Sequence, residues 1–390
     1  MELAKRMSRL GMETAFEVLA KAKKLEAQGK SIVHLEIGEP DFDTPKHIRE
    51  AAKKALDSGW THYGPSAGLP DARAAIAQYL KKTRGACYDP EEIIITPGGK
   101  PVMFFAILAL VNEGDEVIYP NPGFPIYESM INFAGGKAVP APIREENDFN
   151  MDIKELEGLL SPKTKLLIIN SPANPTGGML GLKELEQIAE MLKKFPDVTV
   201  LSDEIYSEIL YEGRHHSVSA LGAMKERTII LDGYSKTYAM TGWRLGYAAA
   251  PKWLAPHLIK LMNNSVSCTA SFTQQAGIAA LTGDSGDVKN MLAEFKKRRD
   301  VIVAGLNTIP GFSCRTPKGA FYAFPSIKGT GLKSRELADM LLYEAGVACL
   351  SGTCFGEFGE GYLRFSYANS VENIEKALKA IKDLSRKWAK

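Results

Sequence analysis

Four short segments carry residues whose types and spacing suit one kind of chemistry. The first is Ser235-Lys236-Thr237-Tyr238-Ala239-Met240-Thr241-Gly242-Trp243-Arg244, which follows an apolar run ending at Leu231. A lysine just past a buried strand can be desolvated, and desolvation lowers its pKa, which is what an amine needs to form a Schiff base with a carbonyl. Ser235 and Arg244 would hold a phosphate beside it, the arginine by a forked contact. Taken alone, Lys236 reads more simply as a surface lysine. The second segment is Val200-Leu201-Ser202-Asp203-Glu204-Ile205-Tyr206. Asp203 stands at the end of an apolar strand, where open α/β sheets place ligand contacts. Its carboxylate would pair with a protonated ring nitrogen, and Tyr206 would donate to an oxygen on the same ring. Alone, Asp203 reads more simply as a cap for the next helix.

The third segment, Asn170-Ser171-Pro172-Ala173-Asn174-Pro175-Thr176-Gly177-Gly178, also follows a strand pattern. Two X-Pro steps and two glycines restrict its backbone, either to aim Asn174 at a ligand or simply to make a turn. The fourth, Thr96-Pro97-Gly98-Gly99-Lys100-Pro101, lies between a strand and a helix. Glycines there free backbone N–H groups at a helix N-terminus to bind an anion, although many strand-to-helix turns contain glycine. Jointly the segments supply a nucleophilic amine, a phosphate cradle, a carboxylate for a ring nitrogen and donors for a ring oxygen. That set matches pyridoxal 5'-phosphate, whose ring is an electron sink with a pyridinium partner.

Other chemistries lack their residues. The sequence has no GxxxxGK[ST], no GxSxG, and no GxGxxG spacing among Gly356, Gly359 and Gly361. No Cys/His cluster suggests a metal, and adjacent His215-His216 read as a solvated loop pair.

Elements must position these residues. The chain has 390 residues, 45% hydrophobic and 24% charged, with a net charge of +2. Two or three domains follow from length, and disorder is excluded by composition. The near charge balance argues against nucleic acid as a partner. No run approaches the length of a membrane span, and the charged start leads into no apolar signal core. Five cysteines without a CxxC pair suit a reduced cytoplasm. Between Glu91 and Ala250, apolar runs at Ile93-Ile94-Ile95, Val117-Ile118-Tyr119, Leu166-Leu167-Ile168-Ile169, Val198-Thr199-Val200-Leu201 and Thr228-Ile229-Ile230-Leu231 predict strands buried on both faces. Helical patterns at 102–111 and 183–194 alternate with them, which predicts an α/β layer domain. Segments 15–28, 289–306 and 371–387 also read as helices, the last capped by Ser370. The termini are expected to build a smaller second domain.

The whole chain resembles the class I/II aminotransferases of the fold-type I pyridoxal-phosphate enzymes, in their aspartate-aminotransferase-like branch. The resemblance is carried by Ile37-Gly38-Glu39-Pro40-Asp41-Phe42, Tyr63-Gly64-Pro65-Ser66-Ala67-Gly68, Ala173-Asn174-Pro175-Thr176-Gly177, Ser202-Asp203-Glu204-Ile205-Tyr206, Ser235-Lys236 with Gly242-Trp243-Arg244, Gly319-Ala320-Phe321-Tyr322 and Leu363-Arg364-Phe365-Ser366. It implies an α/β fold with a large domain over 46–288, whose mostly parallel mixed sheet is flanked by helices. A smaller α+β domain would combine 1–45 with 289–390. Lys236 would carry the cofactor and shuttle the substrate proton, Asp203 would pair with the pyridine nitrogen, and Asn174 and Tyr206 would bond the ring oxygen. Ser235, Arg244 and the backbone of Gly99 and Lys100 would hold the phosphate, and Phe124 would stack on the ring. Arg364 and the Gly38 backbone would bind the substrate α-carboxylate, with Asn174 beside them. Tyr63 would reach the phosphate of a neighbouring subunit, so the active unit would be a homodimer with shared sites.

The implied reaction moves the amino group of an L-amino acid to a 2-oxo acid such as 2-oxoglutarate, by a ping-pong alternation of pyridoxal and pyridoxamine forms. Lys100 resembles a lysine that contacts the side-chain carboxylate of aspartate, so aspartate is favoured. Met12 and Ser351-Gly352 depart from that branch, and Phe124 in place of tryptophan suits aromatic or broader neutral substrates. A C–S lyase on the same fold would share Lys236, Asp203 and Arg364. A regulator's effector domain is disfavoured, because only about 35 residues precede Ile37.

Overall fold

The computed structural model describes residues 2–388. Its strands, in chain order, are β1 (Val33–His34), β2 (Ile93–Thr96), β3 (Glu116–Asn121), β4 (Lys137–Arg144), β5 (Asn150–Met151), β6 (Thr164–Asn170) and β7 (Thr199–Asp203). They continue with β8 (Thr228–Gly233), β9 (Gly246–Ala249), β10 (Tyr322–Ala323), β11 (Val347–Ala348), β12 (Leu350–Ser351) and β13 (Leu363–Ser366). Eight of them form one sheet in the order β2-β9-β8-β7-β6-β3-β4-β5. Neighbours from β8 through β4 pair in parallel, whereas β9 runs antiparallel to both β2 and β8, and β5 antiparallel to β4. The fold is therefore α/β with a mostly parallel mixed sheet, as expected.

The five predicted strands are all present, buried on both faces as their β-branched runs require. Three strands of this sheet, β4, β9 and the two-residue β5, had no such signal. β4 contains Pro140 and Pro142, and β9 is the short run Gly246-Tyr247-Ala248-Ala249. Proline removes ladder donors and glycine and alanine have little strand preference, so pairing with neighbours, not local propensity, makes these strands. Helix Lys100–Leu110, with Pro101 in its first turn, packs its apolar length between the sheet and helix Ala255–Val266.

The two ends of the chain meet. β1 pairs with β11, Leu35 donates to the Ala348 carbonyl, and Ser366 donates to the Leu35 carbonyl. Val33 and Leu35 share one core cluster with Ile302, Leu306, Phe321, Phe365, Ile374 and Ile381. β10, β13 and β12 form a separate antiparallel sheet. Helix Val371–Leu384 starts at Ser370, whose hydroxyl accepts from Asn373 N at 3.2 Å, a cap worth about 1 kcal/mol. The long helix Gly286–Leu306 begins three residues before the predicted start and buries two of its arginines. Arg298 stacks over Phe42 at 4.9 Å and pairs with Asp41 at 2.6 Å, which ties the helix to the N-terminal segment.

Candidate active site

Strands β2, β6, β7 and β8 end at Thr96, Asn170, Asp203 and Gly233, on one edge of the sheet. All four segments singled out by residue type begin there, which is where a parallel sheet opens a crevice. They line a single cavity of about 430 Å³. Eleven of the twelve expected site residues lie on its wall, from Gly38 to Arg364. The twelfth, Tyr63, does not line it and is 92% exposed.

Lys236 reaches the cavity from the turn after β8. Its Nζ donates to the Gly38 carbonyl at 2.6 Å and lies 5.8 Å from the centre of the Phe321 ring. Burial disfavours the ammonium, and Arg364 and Lys100 add to that against the opposing Glu39 and Glu13. The amine's pKa is pulled down to about 8. It is a part-buried amine turned into the cavity, not the surface lysine of the plainer reading. Gly38 is required beside it, since a Cβ there would stand 2.0 Å from the Tyr322 hydroxyl oxygen.

Asp203 is the last residue of β7 and is buried. Its Oδ2 accepts from the Tyr127 hydroxyl at 2.5 Å and its Oδ1 from Ile205 N at 3.3 Å. Desolvation raises its pKa to about 6, against the lowering influence of the Tyr127 bond. Asp203 forms no ion pair among the described residues. A buried carboxylate held this way has acceptor capacity for a protonated nitrogen. Its side chain does not cap a following helix, so the capping alternative fails.

Arg364 lies on β13, buried between the rings of Tyr322 at 4.5 Å and Phe355 at 4.8 Å. Nη1 donates to Asn174 Oδ1 at 3.1 Å, and Nη2 donates to the Glu36 carbonyl. Its Nε is buried with no partner among the described residues, a state that costs about 1–3 kcal/mol unless a ligand satisfies it. Asn174 is placed by its own loop. Asn174 N donates to Asn170 Oδ1 at 2.9 Å, the Ser171-Pro172 and Asn174-Pro175 peptides are cis, and Gly177 has φ +69°.

The wall also carries Arg244 and the start of a helix. Gly99 caps helix Lys100–Leu110 without a side chain, leaving first-turn N–H groups for an anion. Arg244, at φ +53°, donates from Nη1 to the Thr241 carbonyl at 2.8 Å and approaches Gly98 so closely that a Cβ there would lie 2.2 Å from Nη2. It forms no ion pair with a carboxylate among the described residues, and buried Ser235 lies on the same wall. Tyr206 bonds the Tyr322 hydroxyl at 2.7 Å, and Phe124 packs edge-on to Tyr127 at 5.7 Å.

These observations test the fit of a phosphorylated pyridine aldehyde. A cation and a helix start without an anion, a buried carboxylate without a cation and a neutralisable amine are complementary to it group by group, and the unpartnered Arg364 Nε is left over for a further anion. Residue type alone did not single out Tyr127, Tyr322, Asn170 or Glu13. Tyr127 is an ordinary aromatic within helix Ile126–Ala134, and only the fold brings it to Asp203. The histidine reading needs correction. The His215 side chain is 7% exposed and lies 3.0 Å from Glu204, inside a buried ionic group, instead of in solvent.

Comparison with known proteins agrees with this geometry. Residues 30–381 match the family described as aminotransferase class I and II. The chain is 44% identical over 361 residues to the aspartate aminotransferase of Pyrococcus abyssi, covering 92% of each chain. It is 43% identical over 357 residues to aromatic-amino-acid aminotransferase 2 of Thermococcus litoralis, covering 90% of this chain and 91% of that one. The structure of the Thermus thermophilus aspartate aminotransferase with maleate superposes with a TM-score of 0.94, at 37% identity over 98% of this chain and 100% of the other. A cavity built from these four strand ends, with a match of this extent, places the chain among the class I and II aminotransferases, to which it belongs.

Proposed function

We propose that the cavity binds pyridoxal 5'-phosphate and transfers the amino group of an L-amino acid, aspartate foremost, to a 2-oxo acid such as 2-oxoglutarate. The carrying observation is Lys236, a part-buried amine with a pKa of about 8, in one cavity with a buried carboxylate that lacks a cation. When bound, the cofactor supplies an electron sink that makes the substrate Cα–H acidic. Lys236 anchors the cofactor and then, as a free amine poised near neutral pH, carries the proton at Cα. Asp203 holds the proton on the ring nitrogen. Asn174 and Tyr206 orient the ring oxygen, and Phe124 covers the ring. Ser235, Arg244, Gly99 and the Lys100 backbone secure the phosphate. Arg364 and Gly38 hold the substrate α-carboxylate and so fix which bond is broken.

Aspartate is favoured because Lys100 is a cation on the cavity wall that the cofactor does not need, and because similar chains are named aspartate aminotransferases. Aromatic substrates form the second reading, favoured by the apolar Phe16, Ile37 and Phe124 on that wall and by the similar aromatic enzyme. We assign the working unit to a homodimer, in which the protruding Tyr63 completes the partner's phosphate site. The boundaries 46–288 for a large domain, and 1–45 with 289–390 for a small one, are supported by the shared core of the two termini. No described helix is long and apolar enough to cross a membrane. Five free cysteines support a reducing cytoplasmic location.

The test is borohydride reduction of the holoenzyme followed by peptide mass analysis, with the cofactor mass expected on Lys236. Lys236→Ala should lose that adduct and at least about 10²-fold in rate. Pyruvate or ammonia released without a 2-oxo acid would point to the lyase chemistry instead.

A further inference from the structure

Glu13 stands at the N-cap position of helix Thr14–Glu26, where a short polar side chain usually accepts a backbone N–H. Its carboxylate makes no such bond. It accepts from Lys100 Nζ at 2.6 Å, across 87 residues of sequence. The backbone leading to it is held in place, since Gly11 N donates to the Ser129 hydroxyl at 2.9 Å. Glu13 and Lys100 both line the active cavity, and Lys100 Nζ also lies 5.5 Å from the centre of the Phe124 ring. Ala15 and Phe16, next along the same helix, line the cavity as well. The cation assigned to an acidic substrate is thus already paired, by a carboxylate of this chain. Both charges also act on the Lys236 amine, Glu13 raising its pKa and Lys100 lowering it.

We propose that Glu13 is a specificity-determining residue that occupies Lys100 in place of a substrate carboxylate, so that a neutral side chain enters beside an intact pair and an acidic one must displace it. This rests on the reading of Lys100 as the contact for acidic side chains. With Glu13 in place, Lys100 presents a neutral pair to an uncharged or aromatic side chain, and no bare cation is left facing apolar atoms. An aspartate gains Lys100 only by returning the Glu13 carboxylate to water. The side chains are 47% and 22% exposed, so the exchange is modest in size and reversible. Glu13 acts through Lys100 and is a positioning residue.

The test uses the holoenzyme as wild type, Glu13→Gln, Lys100→Met and the double variant, with kcat and KM measured for aspartate and phenylalanine. Inhibition by succinate and by butyrate gives a readout free of turnover. In Glu13→Gln the aspartate-to-phenylalanine ratio of kcat/KM should rise about 1.5-fold to fivefold, the range for a partly exposed ion pair. The change should appear in KM for aspartate, and succinate should tighten relative to butyrate by the same factor. On the Lys100→Met background, Glu13→Gln should move neither ratio. If Lys100→Met lowers the aspartate ratio but Glu13→Gln leaves it unchanged or lowers it, the role of Glu13 is overturned and that of Lys100 stands. If Lys100→Met changes neither the substrate nor the inhibitor ratio, the reading of Lys100 fails and takes the proposal with it.

Discussion

The Lys236 amine bonds the Gly38 carbonyl at 2.6 Å although 198 residues separate them. That contact closes the cavity, because it joins the strand ends of the large sheet to the N-terminal segment carrying Glu36 and Gly38. The same segment receives Arg364 from β13 through the Glu36 carbonyl. An amine from one sheet and a guanidinium from another therefore meet on one short stretch of backbone.

The protonation of Lys236 should be visible in how the apoenzyme captures the cofactor. Only the neutral amine reacts, and its pKa is about 8. The capture rate should climb about tenfold per pH unit below that value and level off above it. Lys100→Met removes a nearby cation and should move the midpoint up, whereas Glu13→Gln removes a carboxylate and should move it down. Stopped-flow absorbance across pH 6 to 10 reads all three curves.

Asp203 is buried at a cost to stability. Burial raises its pKa from 3.8 to about 6, so the ionised form is penalised in the folded apoprotein. The penalty is absent below the unfolded value, grows as pH rises through the interval, and is complete above about 6. Asp203→Asn, which keeps an acceptor for Tyr127, should stabilise the apoprotein by up to about 3 kcal/mol at pH 7 and by almost nothing at pH 4. The same variant should lose cofactor affinity and turnover. Chemical denaturation at the two pH values checks the sign.

Arg364→Lys keeps a charge and loses the planar fork that spans Asn174 and Glu36. KM for amino acids should rise about 10-fold to 100-fold, with the loss shared by every substrate because all carry the α-carboxylate. A loss confined to aspartate would remove Arg364 from that role.

Behind the strand ends, Arg84 joins Glu204 at 2.6 Å and also bonds Asp232, all of them buried. Burial alone would raise Glu204, but His215 and Arg84 beside it bring its pKa down to about 2, while burial pushes Asp232 up to about 7. Arg84→Leu leaves buried carboxylates without their cation and should cost about 3–5 kcal/mol. Because Glu204 adjoins Asp203 along the chain, the loss should show in thermal unfolding of apoprotein and holoenzyme alike.

The chemistry was legible wherever it depended on residue type at a strand end. Runs such as Ile93-Ile94-Ile95 bury both faces of a strand, so they announce themselves, and Asp203, Asn174 and Lys236 come shortly after such runs. β9 had no such signal, since Gly246-Tyr247-Ala248-Ala249 becomes a strand only because β2 and β8 flank it. Tyr127 was equally silent, because its bond to Asp203 spans 76 residues and leaves no local pattern. His215 looked like loop and is buried, because its partner Glu204 comes from a strand end elsewhere in the chain.

By itself, then, the sequence determined which groups exist and that they emerge past the ends of strands, since the apolar pattern that marks a strand is a local property of the chain. Tertiary structure decided their states. Lys236 has a lowered pKa, Asp203 a raised one, Arg364 an unpartnered Nε and Lys100 a carboxylate already at hand. Each state is set by desolvation and by neighbours distant in sequence, and those exist only after the chain has closed on itself.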